Sequence, residues 1–337
     1  MKHNDMSRVA VIILNWNGEK LLPEFLPSVV KNTDAETGKV YVVDNCSTDN
    51  SLQVMADEFP EVEVVRFDEN YGFARGYNRA IELIESEYVV LLNSDVEVTP
   101  GWLQPMVNRL DEDKRIGAVQ PKIKAYREKH KFEYAGACGG YIDHWGFPYC
   151  RGRILDVTEE DNGQYDGIVD VAWCSGAALF IRRAAYLEAG GLDERFFAHM
   201  EEIDLCWRLR NAGYKLEVIP DSVVYHLGGG SLPMNHPRKL FLNYRNNLLM
   251  LYKNLDVKER RRVFAGRKVF DLAALCLFLL KGEFQNVRAV LDAYREYGQM
   301  KKSYKPGTGK KESSGMSDLS IILAYYMRGK KTFSALK

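Results

Sequence analysis

The sequence of 337 residues has no surplus of charge, since 46 lysines and arginines balance 46 aspartates and glutamates. Proteins that bind nucleic acid through its backbone usually carry a basic surplus, so this balance argues against a nucleic-acid partner. The balance hides an asymmetry, because residues 301–337 contain nine Lys or Arg against only Glu312 and Asp318. A second basic run, KERRR, occupies residues 258–262. We therefore expect a neutral body with a basic C-terminal region.

Cysteine pairs and long apolar runs are also missing. The six cysteines form no C-x-x-C pair and no metal-ligand spacing, which excludes the usual thiolate metal sites. The longest apolar stretch, about residues 269–280, is shorter than the ~20 residues that a membrane-spanning helix needs. The N-terminal segment has no cleavage pattern of a signal peptide. These absences predict a cytoplasmic protein with reduced thiols.

The first half of the chain contains a regular alternation of strand-like and helix-like segments. Helical patterns separate apolar runs that are typical of buried strands, at residues 8–14, 39–44, 62–67 and 87–93. This spacing predicts an α/β fold, with a mainly parallel twisted sheet and helices on both of its faces. Shorter, glycine-rich strands are expected over one edge of the sheet from about residue 115 to 175. Residues 240–337 are expected to be mostly helical, with a linker-like segment at 307–315.

Polar residues follow each of the predicted strands, namely Asn15-Trp16-Asn17, Asp44-Asn45, Asp68-Glu69-Asn70 and Asn93-Ser94-Asp95. Any one of these groups could be an ordinary loop cap. In a parallel sheet, however, the carboxyl ends of the strands share one edge, and ligands bind beyond that edge. Four polar groups at one edge therefore favour a binding site.

Seven segments, in a fixed order, then identify a family. They are VAVIILNWNG, VYVVDNCSTDNS, ENYGFARGYNRAI, VVLLNSDVEV, SGAALFIRR, GGLDERFFAHMEEIDLCWRLRNAGY and VVYHLGGGS, and they cover about residues 8 to 231. Together they resemble the inverting family-2 glycosyltransferases, which bind a nucleotide sugar on the GT-A fold, and in particular the rhamnosyltransferase-like members. The resemblance implies a GT-A catalytic domain over residues 1–235 and a helical C-terminal region over residues 236–337.

The resemblance also implies a reaction and its partners. Such an enzyme moves one sugar from a UDP-, dTDP- or GDP-linked donor to a saccharide or lipid-linked saccharide, with inversion, in the assembly of cell-surface polysaccharides. The family's processive polymer synthases carry a Q-x-x-R-W stretch, which is absent from this chain. We therefore expect transfer of a single sugar per encounter. The sequence leaves open whether the protein forms a homodimer.

A divalent cation is expected beside the donor diphosphate. In the family, a carboxylate motif at the end of the fourth strand holds it, and the resemblance places Asp95 there, with Asn93 on the ribose or on the metal's waters. A single carboxylate suits Mg²⁺ or Mn²⁺, which keep substrate and water oxygens as further ligands. The resemblance assigns a second ligand to His226, and imidazole suits Mn²⁺ better than Mg²⁺. The alternatives are a turn cap for Asp95 and a structural histidine.

The donor itself is expected to contact several of the strand-end residues. The resemblance assigns the pyrimidine base to Asp44, while Trp16 has two interpretations, stacking on the base or packing in the core. Gly176 matches the family segment that faces the transferred sugar, although a tight turn explains it equally. The full set implied for nucleotide-sugar binding is Asn15, Trp16, Asp44, Asn70, Asn78, Asn93 and Gly176.

Three carboxylates in FFAHMEEIDLCW supply the candidates for a general base. Asp204 precedes Arg208 by four positions on the predicted helix, so an intrahelical ion pair is its expected role. Glu201 and Glu202 lie in the first turn, where the helix dipole is expected to stabilise negative charge. The family usually has Glu-Asp here, with the second residue as base. The resemblance thus assigns the base to Glu202, with Glu201 and Asp204 as the catalytic alternatives.

The C-terminal region leaves two interpretations open. Its apolar segment VFDLAALCLFLL, at residues 269–280, is either a buried helix or dimer contact, or a monotopic contact with an anionic membrane surface on the inner face of the membrane.

Two rival functions use the same carboxylates. A glycoside hydrolase needs paired carboxylates but no nucleotide, and it leaves the strand-end residues unexplained. A non-catalytic nucleotide-sugar-binding or membrane-surface scaffold protein requires the carboxylates at 201–204 to be structural.

Overall fold

A computed structural model describes residues 7–228, 236–309 and 315–336 of the chain. Its main sheet has the strand order β11-β13-β6-β12-β4-β1-β2-β3, with β5 paired to β13. These strands are β1 (Val9–Asn15), β2 (Gly38–Asp44), β3 (Glu63–Arg66), β4 (Tyr88–Leu92), β5 (Val96–Val98), β6 (Ile116–Ala125), β11 (Val169–Asp170), β12 (Ala178–Arg182) and β13 (Lys215–His226). A smaller sheet contains β7 (Gly140–Ile142), β8 (Pro148–Cys150), β9 (Arg153–Ile154) and β10 (Val157–Thr158).

Helices cover both faces of the main sheet, as the alternation predicted. They are α1 (Leu21–Asn32), α2 (Ser51–Glu58), α3 (Gly72–Leu83), α4 (Leu103–Glu112), α5 (Arg183–Glu188), α6 (Glu201–Asn211), α7 (Pro237–Asn254), α8 (Val257–Leu280), α9 (Phe284–Met300) and α10 (Ile321–Arg328). Short 3₁₀ turns lie at Glu194–Phe196, Lys301–Ser303 and Ser334–Leu336. No helix in the described ranges is long and apolar enough to cross a membrane.

The first strand shows why its apolar run needs two layers of helix. Successive side chains of a strand point to opposite faces of the sheet. In β1, Val11 packs in one cluster with Leu26 of α1, whereas Ile12 packs in a second cluster with Tyr77 of α3. All of these side chains are buried. The continuous apolar pattern therefore reflects burial on both faces.

The sheet is mixed rather than purely parallel, and an antiparallel strand contributes its amino end to the edge at which the parallel strands end. Strands β3, β2, β1 and β4 run parallel, but β12 lies antiparallel between β4 and β6. The amino end of β12 therefore meets the carboxyl end of β4, where Ala178 pairs with Leu92. Directly beyond, the backbone amide of Asn93 donates to the Ala177 carbonyl oxygen at 3.0 Å.

The hydrophobic core extends into the C-terminal region. Leu248, Leu249 and Leu251 of α7 belong to the same buried cluster as Trp207 of α6 and Tyr77 of α3. Helix α7 is therefore packed as part of the catalytic core. The domain boundary expected at residue 235 and most of the expected linker lie outside the described residues, because 229–235 and 310–314 are not described.

Candidate active site

Two neighbouring strands end in a buried polar pair. Asn15 ends β1, Asp44 ends β2, and the two residues are partners in the strand register. The Asn15 side-chain amide donates to Asp44 Oδ1 at 3.3 Å, and the backbone amide of Ser47 donates to Asp44 Oδ2 at 3.1 Å. The side-chain oxygen of Asn15 is buried and has no hydrogen-bond partner among the described residues. A buried acceptor without a partner is costly, so this position suits a ligand that donates a hydrogen bond.

Trp16 lies beside this pair, and 58% of its surface is exposed. It is therefore not a core residue, which decides one of the alternatives left open by the sequence. The next residue, Asn17, has φ of 55° and donates its backbone amide to Ser47 Oγ at 2.9 Å. The loop thus holds a flat, exposed indole next to Asn15 and Asp44, an arrangement suited to stacking a planar base.

The end of β4 meets the end of β13. His226 Nε2 lies 3.1 Å from Asp95 Oδ1 and 3.3 Å from the Asn93 side-chain amide. On the other side of the ring, Nδ1 lies 3.4 Å from Oε2 of Glu133. The imidazole is thus placed between two buried carboxylates.

These carboxylates control the charge of the imidazole. Burial alone would lower the pKa of His226, but the negative charges of Glu133 and Asp95 raise that pKa to about 10. Burial alone would likewise raise the pKa of Asp95, but the hydrogen bond and charge of His226 lower it. Without a metal, the positive charge between the two carboxylates is therefore carried by the imidazolium ring.

This donor set fits a divalent cation that keeps substrate oxygens as ligands. Within the described ranges, no group of three or more His, Cys, Asp or Glu side chains is arranged to hold a metal ion. Asp95 and His226 nevertheless offer one carboxylate oxygen and one ring nitrogen that already face each other. Metal binding requires a neutral imidazole, so a cation here would replace the proton on Nε2. Glu133, facing Nδ1, would orient the ring as partners of metal-bound histidines do.

Two glutamates, Glu201 and Glu202, begin helix α6. Glu201 is 5% exposed, and one carboxylate oxygen of Glu201 and one of Glu202 are buried without a hydrogen-bond partner among the described residues. Burial raises the pKa of both groups, and the charge of Glu202 raises the pKa of Glu201 further. The sequence predicted stabilisation of negative charge by the helix dipole. The net shift of both pKa values is upward instead, because loss of solvation raises them more than the helix N-terminus lowers them.

Gly176 connects these glutamates to the end of β4. A side-chain carbon on Gly176 would lie 3.5 Å from Cβ of Glu202 and 3.7 Å from the Phe73 ring. The next residue, Ala177, accepts the hydrogen bond from Asn93 already described. Residue 176 therefore lies between Glu202 and Asn93, and its missing side chain leaves space between them.

Asp204 is fully engaged in structural contacts. One carboxylate oxygen accepts from Arg208 at 2.9 Å and from Lys253 of α7 at 2.8 Å. The other accepts from the Asn254 side chain at 2.8 Å. The ion pair expected with Arg208 is present, and Asp204 joins α6 to α7. We therefore give it no catalytic role.

Asn70 and Asn78 also have structural partners. Asn70 Oδ1 accepts from the backbone amide of Gly72 at 2.8 Å and from the Asn45 side chain at 3.0 Å, so it organises the start of α3. The Asn78 amide bonds Leu192 through both its oxygen and its nitrogen, each at 2.9 Å, and accepts from Tyr186. Because the oxygen and nitrogen of Asn78 both bond Leu192, we leave Asn78 out of the donor site proposed below.

Sequence reasoning did not single out Glu133 or the polar residues of α7. Glu133 lies in the irregular region between β6 and β7, where no periodicity marks its side chain. In α7, by contrast, Arg245, Asn246 and Asn247 are three consecutive buried polar residues within an apolar helix. Consecutive polar residues between apolar ones in a helix are unusual, and in the sequence this pattern could have indicated buried polar contacts.

Comparisons with known proteins agree with this geometry. A sequence model described as Glycosyl transferase family 2 matches residues 10–183, just over half of the chain. An N-acetylglucosaminyl-diphospho-decaprenol L-rhamnosyltransferase of Mycobacterium tuberculosis is 25% identical over 265 residues, which cover 72% of this chain and 83% of that protein.

Two solved structures share the fold. TarS 1–349 of S. aureus in complex with UDP-GlcNAc superposes with a TM-score of 0.59 at 18% identity, covering 86% of this chain and 80% of that one. GalNAc-T7 with UDP, GalNAc and Mn²⁺ gives a TM-score of 0.57 at 17% identity. This second match covers 75% of the chain but only about half, 49%, of GalNAc-T7. The GT-A fold expected from the sequence is confirmed.

Proposed function

Because the chain belongs to glycosyl transferase family 2, it is a glycosyltransferase, and we propose that it transfers one sugar with inversion from a nucleotide-sugar donor to a saccharide or lipid-linked saccharide. The observation that carries the proposal is the convergence of three polar groups at one edge of the sheet. They are the Asn15–Asp44 pair, the Asp95–His226 pair and the carboxylate of Glu202, one oxygen of which is buried.

The donor nucleotide is proposed to bind beyond β1 and β2. Asp44 would accept a hydrogen bond from the base, Trp16 would stack on it, and the unpaired oxygen of Asn15 would accept a further hydrogen bond. Two proteins of the same fold were crystallised with UDP or UDP-GlcNAc, which supports binding of a nucleoside diphosphate at this position. The base is left to experiment among uracil, thymine and guanine.

The diphosphate is proposed to lie at the ends of β4 and β13. Asp95 and His226 would hold Mg²⁺ or Mn²⁺ there, and the Mn²⁺ in the GalNAc-T7 structure supports this choice. When bound, the cation stabilises the negative charge that develops on the leaving nucleoside diphosphate. Asn93 is next to this position and would bond the ribose or a metal-bound water. Glu133 would keep the His226 ring in place.

Glu202 is proposed as the general base. The acceptor hydroxyl oxygen forms its bond to the anomeric carbon as the bond from that carbon to the diphosphate breaks, and the hydroxyl proton passes to the carboxylate. Attack from the face opposite the diphosphate inverts the configuration. Burial raises the pKa of Glu202, which makes its carboxylate a stronger proton acceptor. Gly176 lies against Glu202 and would face the transferred sugar.

The acceptor is proposed to be lipid-linked, which places the enzyme peripherally on the inner face of the membrane in polysaccharide assembly. The rhamnosyltransferase relative is named for a diphospho-decaprenol acceptor. In this chain, the segment 269–280 is not a buried helix, because Asp271 alone is buried within it. A cleft of about 660 Å³ between α7 and α9 is lined by three arginines, Arg238, Arg288 and Arg295, and by two carboxylates, Asp292 and Glu296. The arginines could pair with a lipid diphosphate.

A donor panel tests the proposal. The protein is incubated with UDP-, dTDP- and GDP-sugars, with Mg²⁺ or Mn²⁺, and release of nucleoside diphosphate is followed with and without saccharide acceptors. We expect metal-dependent release with one donor. Tight donor binding without any release would instead support the scaffold function, and sugar release from an oligosaccharide without nucleotide would support a hydrolase.

Paired variants test the roles within the site. Glu202→Gln should keep donor binding and lose about 10²- to 10⁴-fold in turnover, the usual range for a lost general base. Glu201→Gln is the matched control, and a larger loss of turnover in it would assign the base to Glu201 instead.

Asp95→Asn keeps a hydrogen-bond acceptor for His226 but removes the negative charge. It should abolish metal-dependent nucleotide binding in calorimetry.

A further inference from the structure

The segment immediately before α6 has an unusual backbone. Phe197, His199 and Met200 have φ of 67°, 69° and 71°, in the left-handed region that residues with a side-chain carbon rarely adopt. Three such residues among four consecutive positions need external support, because the chain would otherwise relax. The helix that carries Glu201 and Glu202 begins at the next residue.

A single side chain of α7 supplies much of this support. The amide nitrogen of Asn246 lies 2.9 Å from the carbonyl oxygen of Phe196, and 2.8 Å from each of the carbonyl oxygens of Ala198 and His199. Asn246 is 0% exposed. The left-handed residues turn the carbonyl groups of residues 196, 198 and 199 towards the Asn246 amide nitrogen. A hydrophobic side chain there would leave these buried or half-buried carbonyl groups without this donor.

Arg245 sets the orientation of that amide. Its Nε donates to Asn246 Oδ1 at 2.9 Å, so the nitrogen of the amide must face the carbonyl groups. Arg245 also donates to the Phe196 carbonyl oxygen at 2.9 Å, and it pairs with Glu296 of α9 at 2.6 Å. The contacts therefore run without a break from α9 through Arg245 and Asn246 to the backbone before the catalytic helix.

We propose that Asn246 is a positioning residue for catalysis, which holds the strained segment 197–200 so that Glu202 faces the acceptor hydroxyl. The inference rests on the proposed function for its effect on turnover, but not for its effect on the backbone. Asn246 lies outside the 10–183 segment that the family model covers. The C-terminal region thus contributes to the active site without touching substrate.

The test compares Asn246→Ala with Asn247→Ala. Asn247 is the next residue of α7, is equally buried, and donates to the Gly146 carbonyl oxygen at 2.8 Å rather than to the strained segment. We expect both variants to lose thermal stability. Only Asn246→Ala should lower kcat, by about 10²-fold, since a shift of about 1 Å in a catalytic group has that effect. Its affinity for the nucleoside diphosphate in calorimetry should stay within twofold of wild type.

Hydrogen exchange measured by mass spectrometry gives a readout that is independent of turnover. Asn246→Ala should speed exchange of the backbone amides at 197–203, whereas Asn247→Ala should leave them unchanged. If Asn246→Ala does not fold, Arg245→Lys serves instead, because it keeps the charge opposite Glu296 but loses the donors to Asn246 and Phe196. Arg245→Lys should lower kcat severalfold and speed the same exchange.

Two results would overturn the inference. One is a kcat within twofold of wild type in Asn246→Ala. The other is an equal loss of kcat in Asn247→Ala, which would show a general effect of core damage. If the wild-type protein transfers no sugar from any donor, the proposed function fails, and the exchange rates at 197–203 alone decide whether Asn246 holds the segment.

Discussion

Glu201 and Glu202 show how two opposing effects are resolved at a single pair of residues. A helix N-terminus stabilises a negative charge by roughly 0.3–1 kcal/mol at the surface, whereas removing a carboxylate from water costs several kcal/mol. Glu201 is buried and Glu202 is half-buried, and each has a buried carboxylate oxygen without a partner among the described residues. Loss of solvation therefore dominates and raises both pKa values.

The raised pKa of Glu201 predicts a pH-dependent gain in stability for Glu201→Gln. Its ordinary value is 4.5 and its folded value is well above that, so the folded state holds the proton more tightly than the unfolded state. This contribution to stability is complete below pH 4.5 and is lost as pH rises through the folded pKa, at about 1.4 kcal/mol per pH unit. Glutamine cannot ionise and avoids that loss.

Thermal unfolding of wild type and Glu201→Gln between pH 4 and 9 measures the effect. The melting temperatures should agree near pH 4 and separate in favour of Glu201→Gln as pH rises. Glu85→Gln, at an exposed position, is the control and should show a constant difference. A gap that narrows with rising pH would contradict the burial of an uncompensated carboxylate.

At the scale of elements, α8 depends on one glycine. A side-chain carbon on Gly266 would lie 2.1 Å from the Trp145 ring, which follows the small-sheet strand β7. Gly→Ala within a helix normally stabilises by roughly 0.5–1 kcal/mol. Here the clash outweighs that gain, and Gly266→Ala should lower the free energy of unfolding by about 1–3 kcal/mol.

Gly298 of α9 is the matched control, because nothing lies within 4 Å of the position its side-chain carbon would take. Gly298→Ala should therefore raise the free energy of unfolding by up to roughly 1 kcal/mol. Urea denaturation of both variants measures the difference. Equal stability of the two variants would mean that α8 can move away from Trp145 at little cost.

The second half of α8 and the turn into α9 expose large apolar side chains. They are Val269, Leu272, Leu277, Leu279, Leu280 and Phe284, with Leu280 84% and Phe284 69% exposed. Lys268, Lys281 and Arg288 are exposed along the same two helices. Apolar side chains next to cationic ones are typical of segments that lie in a membrane interface. This combination favours a bilayer over a dimer contact, which would bury the charges.

We expect the protein to co-sediment with anionic lipid vesicles at low salt and to dissociate as salt rises, because the Debye length falls to about 8 Å at 0.15 M. Leu280→Glu combined with Phe284→Glu should weaken binding at least tenfold, since each large apolar side chain contributes about 1.5–3 kcal/mol on burial. Leu83→Glu, at an exposed leucine of α3, is the control. A wild-type dimer that the double variant dissociates would instead identify this turn as a subunit contact.

At the scale of the whole molecule, one buried cluster extends from the sheet into the C-terminal helices. The cluster that contains Ile12 of β1 also contains Trp207 of α6, Leu251 of α7 and Tyr297 of α9. Asp204 adds ion pairs between α6 and α7. The expected helical region is therefore joined to the sheet through buried apolar and charged contacts.

This continuity predicts cooperative unfolding of the full chain. Scanning calorimetry should give a single transition whose calorimetric and van't Hoff enthalpies agree, as for one cooperative unit. Two resolved transitions, or loss of the helical signal before the near-ultraviolet signal of the buried tryptophans, would show that the C-terminal helices unfold separately.

The sequence by itself determined the order of the elements and the edge at which the polar groups collect. Both follow from local properties, because the alternation of apolar runs fixes strands and helices, and parallel strands must end at a common edge. Asn15, Asp44 and Asp95 were found in this way. The seven ordered segments likewise identify the family, which the match over residues 10–183 confirms.

Tertiary structure alone decided what each polar side chain contacts. Glu133 reaches His226 because β6 pairs with β13. Asn78 bonds Leu192, which lies 114 positions later in the chain. Neither partner is a neighbour in sequence. Burial depends on everything packed around a residue, so the exposure of Trp16 and the raised pKa of Glu202 could not be read from their segments. The hydrogen bonds from Asn246 to the backbone before α6 likewise depend on tertiary structure, because they form only where α7 packs against that segment.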